Sequence, residues 1–219
     1  MAQLADGYRL QGKYAQAEAF ERETYEARRR VLGKDSPDTL AALSYLALDL
    51  DGQQKFVQAE DLYRAALQGS PDNPSLLNGL AYHYASVSNP AFRGPQEALE
   101  LARRAVGATP NNSDYLETLG LAEIRNGLWD DAVATFTKAS QLDQGSNPAK
   151  FFYLAMAYHA QHSNAEARAA FQPAVEIAKK RPVLQPALRA IWTEAAVSVG
   201  MPAPPAITPH PGARISAGN

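Results

Sequence analysis

The sequence predicts an all-α solenoid of antiparallel helix hairpins, on three observations. The chain of 219 residues contains 41 alanines, and alanine favours helices because its side chain loses no entropy there. One pattern of small and apolar residues recurs along the chain, as in repeat proteins. Several of its copies begin with a helix-capping residue followed by proline.

The second helix of each predicted hairpin is marked by an alanine, three residues, an aromatic or aliphatic residue, two residues and another small residue. Successive copies are separated by 42, 39, 34 and 35 residues. A period near 34 residues indicates a helical hairpin repeat. The marker alanines are Ala17, Ala59, Ala98, Ala132 and Ala167.

The first helix of each hairpin carries apolar residues in steps of three, one and three, which places them on one stripe. Each stripe has a small residue at its centre, because two helices approach closely only where neither carries a bulky side chain. The stripes are Leu43, Leu46, Ala47, Leu50; Leu77, Leu80, Ala81, Tyr84; Leu116, Leu119, Gly120; and Phe151, Leu154, Ala155, Tyr158. Caps are predicted at Ser36-Pro37, Asn73-Pro74 and Asn147-Pro148.

These segments resemble tetratricopeptide repeats, most fully over residues 43–71 and 111–143. The resemblance implies a right-handed superhelical solenoid of about five repeats within residues 1–181. The expected units are residues 2–36, 37–72, 73–111, 112–146 and 147–181.

Two narrower resemblances concern parts of the array. The first unit is similar to the longer repeats of kinesin light chains, through Gly12-Lys13-Tyr14 and residues 31–38. The runs 77–81, 115–120, 152–159 and 191–196 look like repeat arrays that follow the kinase domain in some bacterial Ser/Thr protein kinases. The second resemblance implies a relative in signalling, although the chain has no kinase catalytic loop or Gly-rich loop.

Both ends of the array depart from the repeat pattern. Glu21 stands where other copies have an aromatic or small residue. Only about eleven residues precede Gly12 and no capping element covers this end, so we expect either a frayed end over residues 1–36 or a chain that is a fragment of a larger protein. Glu123 stands at an apolar position, and Pro173 lies inside a second helix. Residues 186–200 are predicted to form a C-terminal capping helix, with Leu188, Ile191, Trp192 and Ala195 on one stripe. Residues 201–219 hold five of the fifteen prolines and are predicted to be a disordered tail.

Composition and motifs argue against an enzyme. Cysteine is absent, and no Gly-rich phosphate loop, G-x-S-x-G elbow or H-E-x-x-H pair occurs. His159 and His162 are three residues apart, but no third metal ligand is evident. We therefore expect no catalytic residues, no metal and no cofactor. The net charge of -2 and the lack of a signal peptide or membrane span predict a cytoplasmic protein without a nucleic-acid or membrane partner.

The family resemblance implies that the first helices line a concave groove. The stripe offset from the packing face mixes aromatic, aliphatic and a few polar groups, which suits a peptide with apolar anchors. The candidate groove residues are Ser44, Tyr45, Leu48, Asp51, Asn78, Tyr82, Glu117, Leu121, Arg125, Phe152, Met156 and His159. Acidic residues near this stripe, and the lack of the lysine that carboxylate-binding members use, make an acidic C-terminal tail a poor ligand.

The sequence therefore predicts a non-catalytic scaffold that binds a protein or peptide partner, whose identity it does not give. One alternative is a regulatory or sensor segment of a larger bacterial signalling protein, such as a Ser/Thr kinase or a transcriptional regulator. RNA binding by helical repeats is disfavoured, because it requires a basic concave face.

Overall fold

The computed structural model describes residues 2–87, 94–181 and 186–205, and these residues form eleven α-helices without a strand. The helices are α1 (Ala2–Leu10), α2 (Tyr14–Leu32), α3 (Pro37–Gly52), α4 (Phe56–Gly69), α5 (Pro74–Ser86), α6 (Pro95–Ala108), α7 (Ser113–Arg125), α8 (Trp129–Leu142), α9 (Pro148–Ala160), α10 (Asn164–Lys179) and α11 (Pro186–Val199). Helices α3, α5, α7 and α9 are the first helices of successive hairpins, and α4, α6, α8 and α10 are the second helices.

The predicted caps begin the first helices. The Ser36 hydroxyl accepts a hydrogen bond from the Thr39 backbone N–H, and Asn73 and Asn147 accept equivalent bonds at the starts of α5 and α9. Each bond satisfies a backbone donor that has no partner within its helix. Asn112 caps α7 in the same way, although the residue that follows it is serine rather than proline.

Alanine and glycine permit the close helix approach that the sequence predicts. The five marker alanines are at most 1 % exposed. At Gly120 an added Cβ would lie 2.7 Å from the Phe136 ring, and at Gly79 it would lie 2.4 Å from the Tyr63 ring. Tyr63 of α4 and Phe136 of α8 therefore pack directly against the backbone of a first helix.

An ion-pair network holds α1 against α2 and α3. The Arg9 guanidinium donates to Glu21 at 2.6 Å and to Asp49 at 2.9 Å, and it also contacts Asp6. Glu21 is 2 % exposed and Asp49 is fully buried. The unusual Glu21 thus has a cationic partner, and the described part of the first unit is tied to its neighbour rather than frayed.

The C-terminal helix α11 packs mainly on α9, with fewer contacts to α10. Its predicted stripe faces inward, since Leu188, Trp192 and Ala195 are buried and Ile191 is partly buried. The start of α11 also reaches the opposite end of the array, where Pro186 lies beside Gly12. Helix α11 therefore covers one part of the concave side.

Residues 201–205, placed by the sequence in a disordered tail, have no regular secondary structure but contact α11. The Trp192 indole N–H donates to the Pro202 carbonyl at 3.2 Å, and Met201 packs against the core. The difference arises because the end of α11 offers an aromatic donor and an apolar surface to this segment. Residues 206–219 of that tail lie outside the described residues.

Candidate peptide-binding groove

The concave side contains a cavity of about 630 Å³ across α3, α5 and α7, which we call the central cavity. Each helix contributes residues in steps of three or four, so these side chains lie on one helical face. The central cavity is lined by Ala41, Ser44, Tyr45, Leu48, Tyr63, Ser75, Asn78, Gly79, Tyr82, Asp114, Tyr115, Glu117, Thr118 and Asn147.

Buried contacts from the second helix α4 fix one wall of the central cavity. Tyr63 is 1 % exposed, and its hydroxyl donates to the Ser44 backbone carbonyl at 3.2 Å. Its ring lies against Gly79 on α5. Tyr63 therefore positions the backbones of both helices, and burial raises the pKa of its hydroxyl well above the ordinary value.

Glu117 provides a carboxylate in the opposite wall. Its Oε2 accepts a hydrogen bond from the Asn147 side-chain amide at 2.7 Å and lies 3.8 Å from the Lys150 ammonium. Lys150 is 1 % exposed and is bound more closely by Asp143, at 2.6 Å. Burial raises the pKa of Glu117 to about 7, against the opposing effect of Lys150.

A second cavity of about 330 Å³ adjoins the central cavity at the ends of α3 and α5, and it is also lined by Arg9 of α1 and Ala187 of α11. Leu48 and Tyr82 line both cavities, and Asp51 lines the second. Asp51 is 2.8 Å from Nδ1 of the fully buried His83. Burial raises the pKa of Asp51, and the hydrogen bond with His83 opposes that shift.

Six of the twelve predicted groove residues line the central cavity, and Asp51 lines the adjoining one. The six are Ser44, Tyr45, Leu48, Asn78, Tyr82 and Glu117. The expected continuous groove is therefore divided, and its open part lies on α3, α5 and α7.

Phe152 and Leu121 were expected to face a ligand, but both are buried. Phe152 is fully buried because its ring packs against Trp192 of α11, with centroids 5.6 Å apart, and against Phe171 of α10. Leu121 is 1 % exposed within the core. The expectation was wrong for these two residues because α11 and the neighbouring helices fill the space beside them.

The remaining predicted residues also lie outside both cavities. Arg125 donates to the Ala85 carbonyl at 3.0 Å and lies 3.5 Å from Glu194, so it links α7 to α5 and α11. Met156 is partly buried against the core. His159 is exposed, and its ring bonds with Asn164 at the start of α10.

Several lining residues were not predicted because the cavity extends one turn towards the start of each helix. Ala41, Ser75 and Asp114 each precede a predicted groove residue by three positions. Extending the same stripe backwards would have found them. Tyr115 and Thr118 follow from the adjacent positions of α7.

The described residues offer the cavity no evident metal chemistry. Within residues 2–87, 94–181 and 186–205, no three His, Cys, Asp or Glu side chains are grouped to hold a metal ion. No helix in that part of the chain is long and apolar enough to span a membrane. The arrangement offers hydrogen-bond acceptors, tyrosine rings and carboxylates in a concave surface.

Two family models, both described as tetratricopeptide repeat, match the sequence. One matches residues 1–72, and the other matches residues 91–147 and 118–182. Together they cover well over half of the chain. No curated protein matches the sequence significantly.

Solved structures share the fold at low sequence identity. A thermophilic tetratricopeptide repeat protein of Thermus thermophilus is 18 % identical, with a TM-score of 0.68 over 91 % of this chain and 97 % of its own. MamA from Desulfovibrio magneticus RS-1 is 15 % identical, with a TM-score of 0.57 over 82 % and 94 %. The likeness confirms the predicted right-handed helical solenoid. With the family models, it shows that the chain belongs to the tetratricopeptide repeat family.

Proposed function

We propose that this chain is a non-catalytic interaction scaffold that binds a segment of a partner protein in the central cavity. The carrying observation is that the open concave surface is formed by three successive first helices. A concave surface with apolar walls and a few polar groups suits a peptide with anchoring side chains. The family and its interaction role in general support this proposal.

Tyr45 and Leu48 are suitable positions for testing the groove. Tyr45 is 44 % exposed, and Leu48 is half-buried where the two cavities meet. Replacing either by alanine removes apolar contact area from the ligand side; Tyr45→Ala also removes the ring that the Arg9 guanidinium contacts, while the ion pairs of Arg9 with the buried carboxylates remain. Val57 on α4 is 55 % exposed and lines neither cavity, so Val57→Ala is the matched control.

The experiment selects binding peptides from a random display library and measures their affinity by calorimetry. We expect Tyr45→Ala and Leu48→Ala each to weaken binding by about tenfold, since an anchoring side chain contributes on the order of 1–2 kcal/mol. Val57→Ala should bind as the unmodified chain does. Equal affinities for all four proteins, each folded by circular dichroism, would contradict the groove assignment.

The regulatory alternative differs in what occupies the groove. Its support is the resemblance of four sequence runs to arrays found in bacterial Ser/Thr kinases. In that case the ligand is a segment of a signalling protein in the same polypeptide or complex. Reading the coding sequence on both sides of this chain tests it, because neighbouring genes without a signalling domain would oppose it.

A further inference from the structure

The charges lining the central cavity are negative. Asp114 and Glu117 both lie on α7, and no lysine, arginine or histidine is among the lining residues. Asp114 is exposed and forms no ion pair within the described part of the chain. An occupant must therefore complement two carboxylates without a lining cation to balance them.

The cations nearest the cavity are committed to other partners. Lys150 lies below the surface and is held by Asp143 at 2.6 Å and by the Ser113 hydroxyl. It forms a largely compensated pair with Asp143, and its nitrogen is 3.8 Å from Glu117. Arg9 is likewise held by the carboxylates that surround it at the first hairpin. The cavity consequently keeps the negative charge of Asp114, and Glu117 adds a second negative charge as the pH rises through about 7.

The aromatic walls provide a second feature that favours a cation. Tyr45, Tyr82 and Tyr115 line the cavity on three successive first helices. The Arg9 guanidinium carbon already lies 4.7 Å from the centroid of the Tyr45 ring. Tyr45 thus already contacts a cation of the chain itself, whereas Tyr82 and Tyr115 have no such contact among the described residues.

An unpaired acceptor in the same wall adds a third feature. Asn78 Oδ1 is inaccessible to solvent and has no hydrogen-bond partner among the described residues. A buried acceptor without a donor is costly, so rotation of the Asn78 amide, which lines the cavity, would let a ligand donor reach this oxygen and gain affinity. Lysine and arginine side chains carry several donors and no acceptor.

We propose, on the basis of the proposed function, that the bound protein segment inserts a lysine or arginine side chain into the central cavity. The cationic head lies beside Asp114 and Glu117, and its aliphatic stem packs on the tyrosine rings. Leu48, at the border with the second cavity, contacts an apolar neighbour in the segment. The partner is thus a protein with an exposed segment that combines one basic anchor with an apolar one.

A double-mutant cycle tests the charge pairing directly. The protein variant of the cycle is Asp114→Asn/Glu117→Gln, which removes both charges and keeps one acceptor oxygen at each position, with an amide N–H donor in place of the other. The peptide partner is a library-selected binder and its counterpart in which the basic residue is glutamine. Asp131→Asn is the control, because Asp131 also lies exposed in the first turn of a helix but does not line the cavity.

We expect the unmodified chain to bind the basic peptide about tenfold more tightly than its glutamine counterpart. In the double variant that ratio falls close to one, whereas Asp131→Asn retains it. Affinity for the basic peptide should also rise as the pH increases through about 7, where Glu117 ionises.

Two outcomes would overturn the inference, and they differ in what else they affect. In the first outcome, the unmodified chain and the double variant prefer the basic peptide over its glutamine counterpart by the same ratio. That result would contradict the basic anchor but leave the proposed function intact. Selected peptides whose affinity is unchanged by Tyr45→Ala, Leu48→Ala and the charge variant would overturn both. Thermal unfolding of each variant establishes that loss of binding is not loss of fold.

Discussion

The open and the covered parts of the concave face are built from the same kind of helix but have different surroundings. On α3, α5 and α7 the concave stripe borders a cavity of about 630 Å³. On α9 the equivalent stripe is covered by α11, and Phe152 is fully buried against Trp192. A residue on the concave stripe is therefore available to a ligand only where no neighbouring helix covers it.

The largest expected effect is the difference in unfolding free energy between a substitution in the covered part and one in the open part. Phe152→Ala should lower the free energy of unfolding by about 3–5 kcal/mol, because it leaves a cavity between α9, α10 and α11. Tyr45→Ala in the open part should cost less than about 1 kcal/mol. Urea unfolding of both variants measures the contrast, and equal costs would mean that the two parts do not differ in packing.

The next largest effect on stability is expected from removing the buried ammonium of Lys150 beside the open part. Lys150→Met should destabilise the fold by about 3 kcal/mol, because it leaves Asp143 and Glu117 without their buried cation. The control is Lys138→Met, whose exposed ammonium donates to the Pro110 backbone carbonyl; it should change stability by less than about 0.5 kcal/mol. Chemical unfolding near neutral pH compares them, and similar stabilities would contradict a structural role for Lys150.

Glu123, a buried carboxyl on α7, makes the stability of the fold dependent on pH. It is 4 % exposed, and burial raises its pKa to about 7, while Thr135 and Arg103 lower it and Asp131 raises it. The folded state therefore holds a proton that the unfolded chain releases at lower pH, so this contribution to stability falls as the pH rises from about 4.5 to about 7. Glu123→Gln should gain about 1–3 kcal/mol at alkaline pH relative to the unmodified chain.

Unfolding measurements on both proteins at a series of pH values check the Glu123 prediction. The stability difference should shrink steadily as the pH falls from about 7 and reach its minimum below about 4.5, where the carboxyl is protonated in the unfolded chain as well. A constant difference across that series would show that ionisation of Glu123 does not control it.

The smallest expected changes in stability come from alanine substitutions at two helical glycines with different surroundings. Gly120→Ala should cost about 1–3 kcal/mol, because the new Cβ would lie 2.7 Å from the buried Phe136 ring. Gly107→Ala in α6 meets no atom within 4 Å and should gain about 0.5–1 kcal/mol. Thermal unfolding distinguishes them by sign, and a stabilising Gly120→Ala would contradict the close approach of α7 and α8.

Most of the fold could be predicted from the sequence because helix capping and close helix approach depend on residues near one another in the chain. Ser36, Asn73 and Asn147 cap their helices, and the marker alanines lie at helix contacts, because capping and close approach depend on nearby residues. Such local rules do not distinguish concave positions that α11 covers from those that stay open. Phe152 has the helical register of a groove residue, but its burial depends on where α11 packs.

The repeat pattern also did not predict how far the cavity extends along each helix. Ala41, Ser75 and Asp114 lie one turn before the predicted stripe, and which turn stays open depends on how successive hairpins are rotated. That rotation is set by side-chain packing between hairpins rather than by register within one helix. Helical periodicity therefore predicts a face, and tertiary packing decides which part of it is accessible.

Thiol protection tests most directly whether the open part is the ligand surface. The chain has no cysteine, so single substitutions provide unique reporters: Ser44→Cys in the central cavity and Val57→Cys on α4. The rate of reaction with a soluble thiol reagent is measured with and without a saturating selected peptide. The account predicts that the peptide slows the reaction at position 44 and leaves position 57 unchanged; protection at position 57 with unchanged reactivity at position 44 would contradict it.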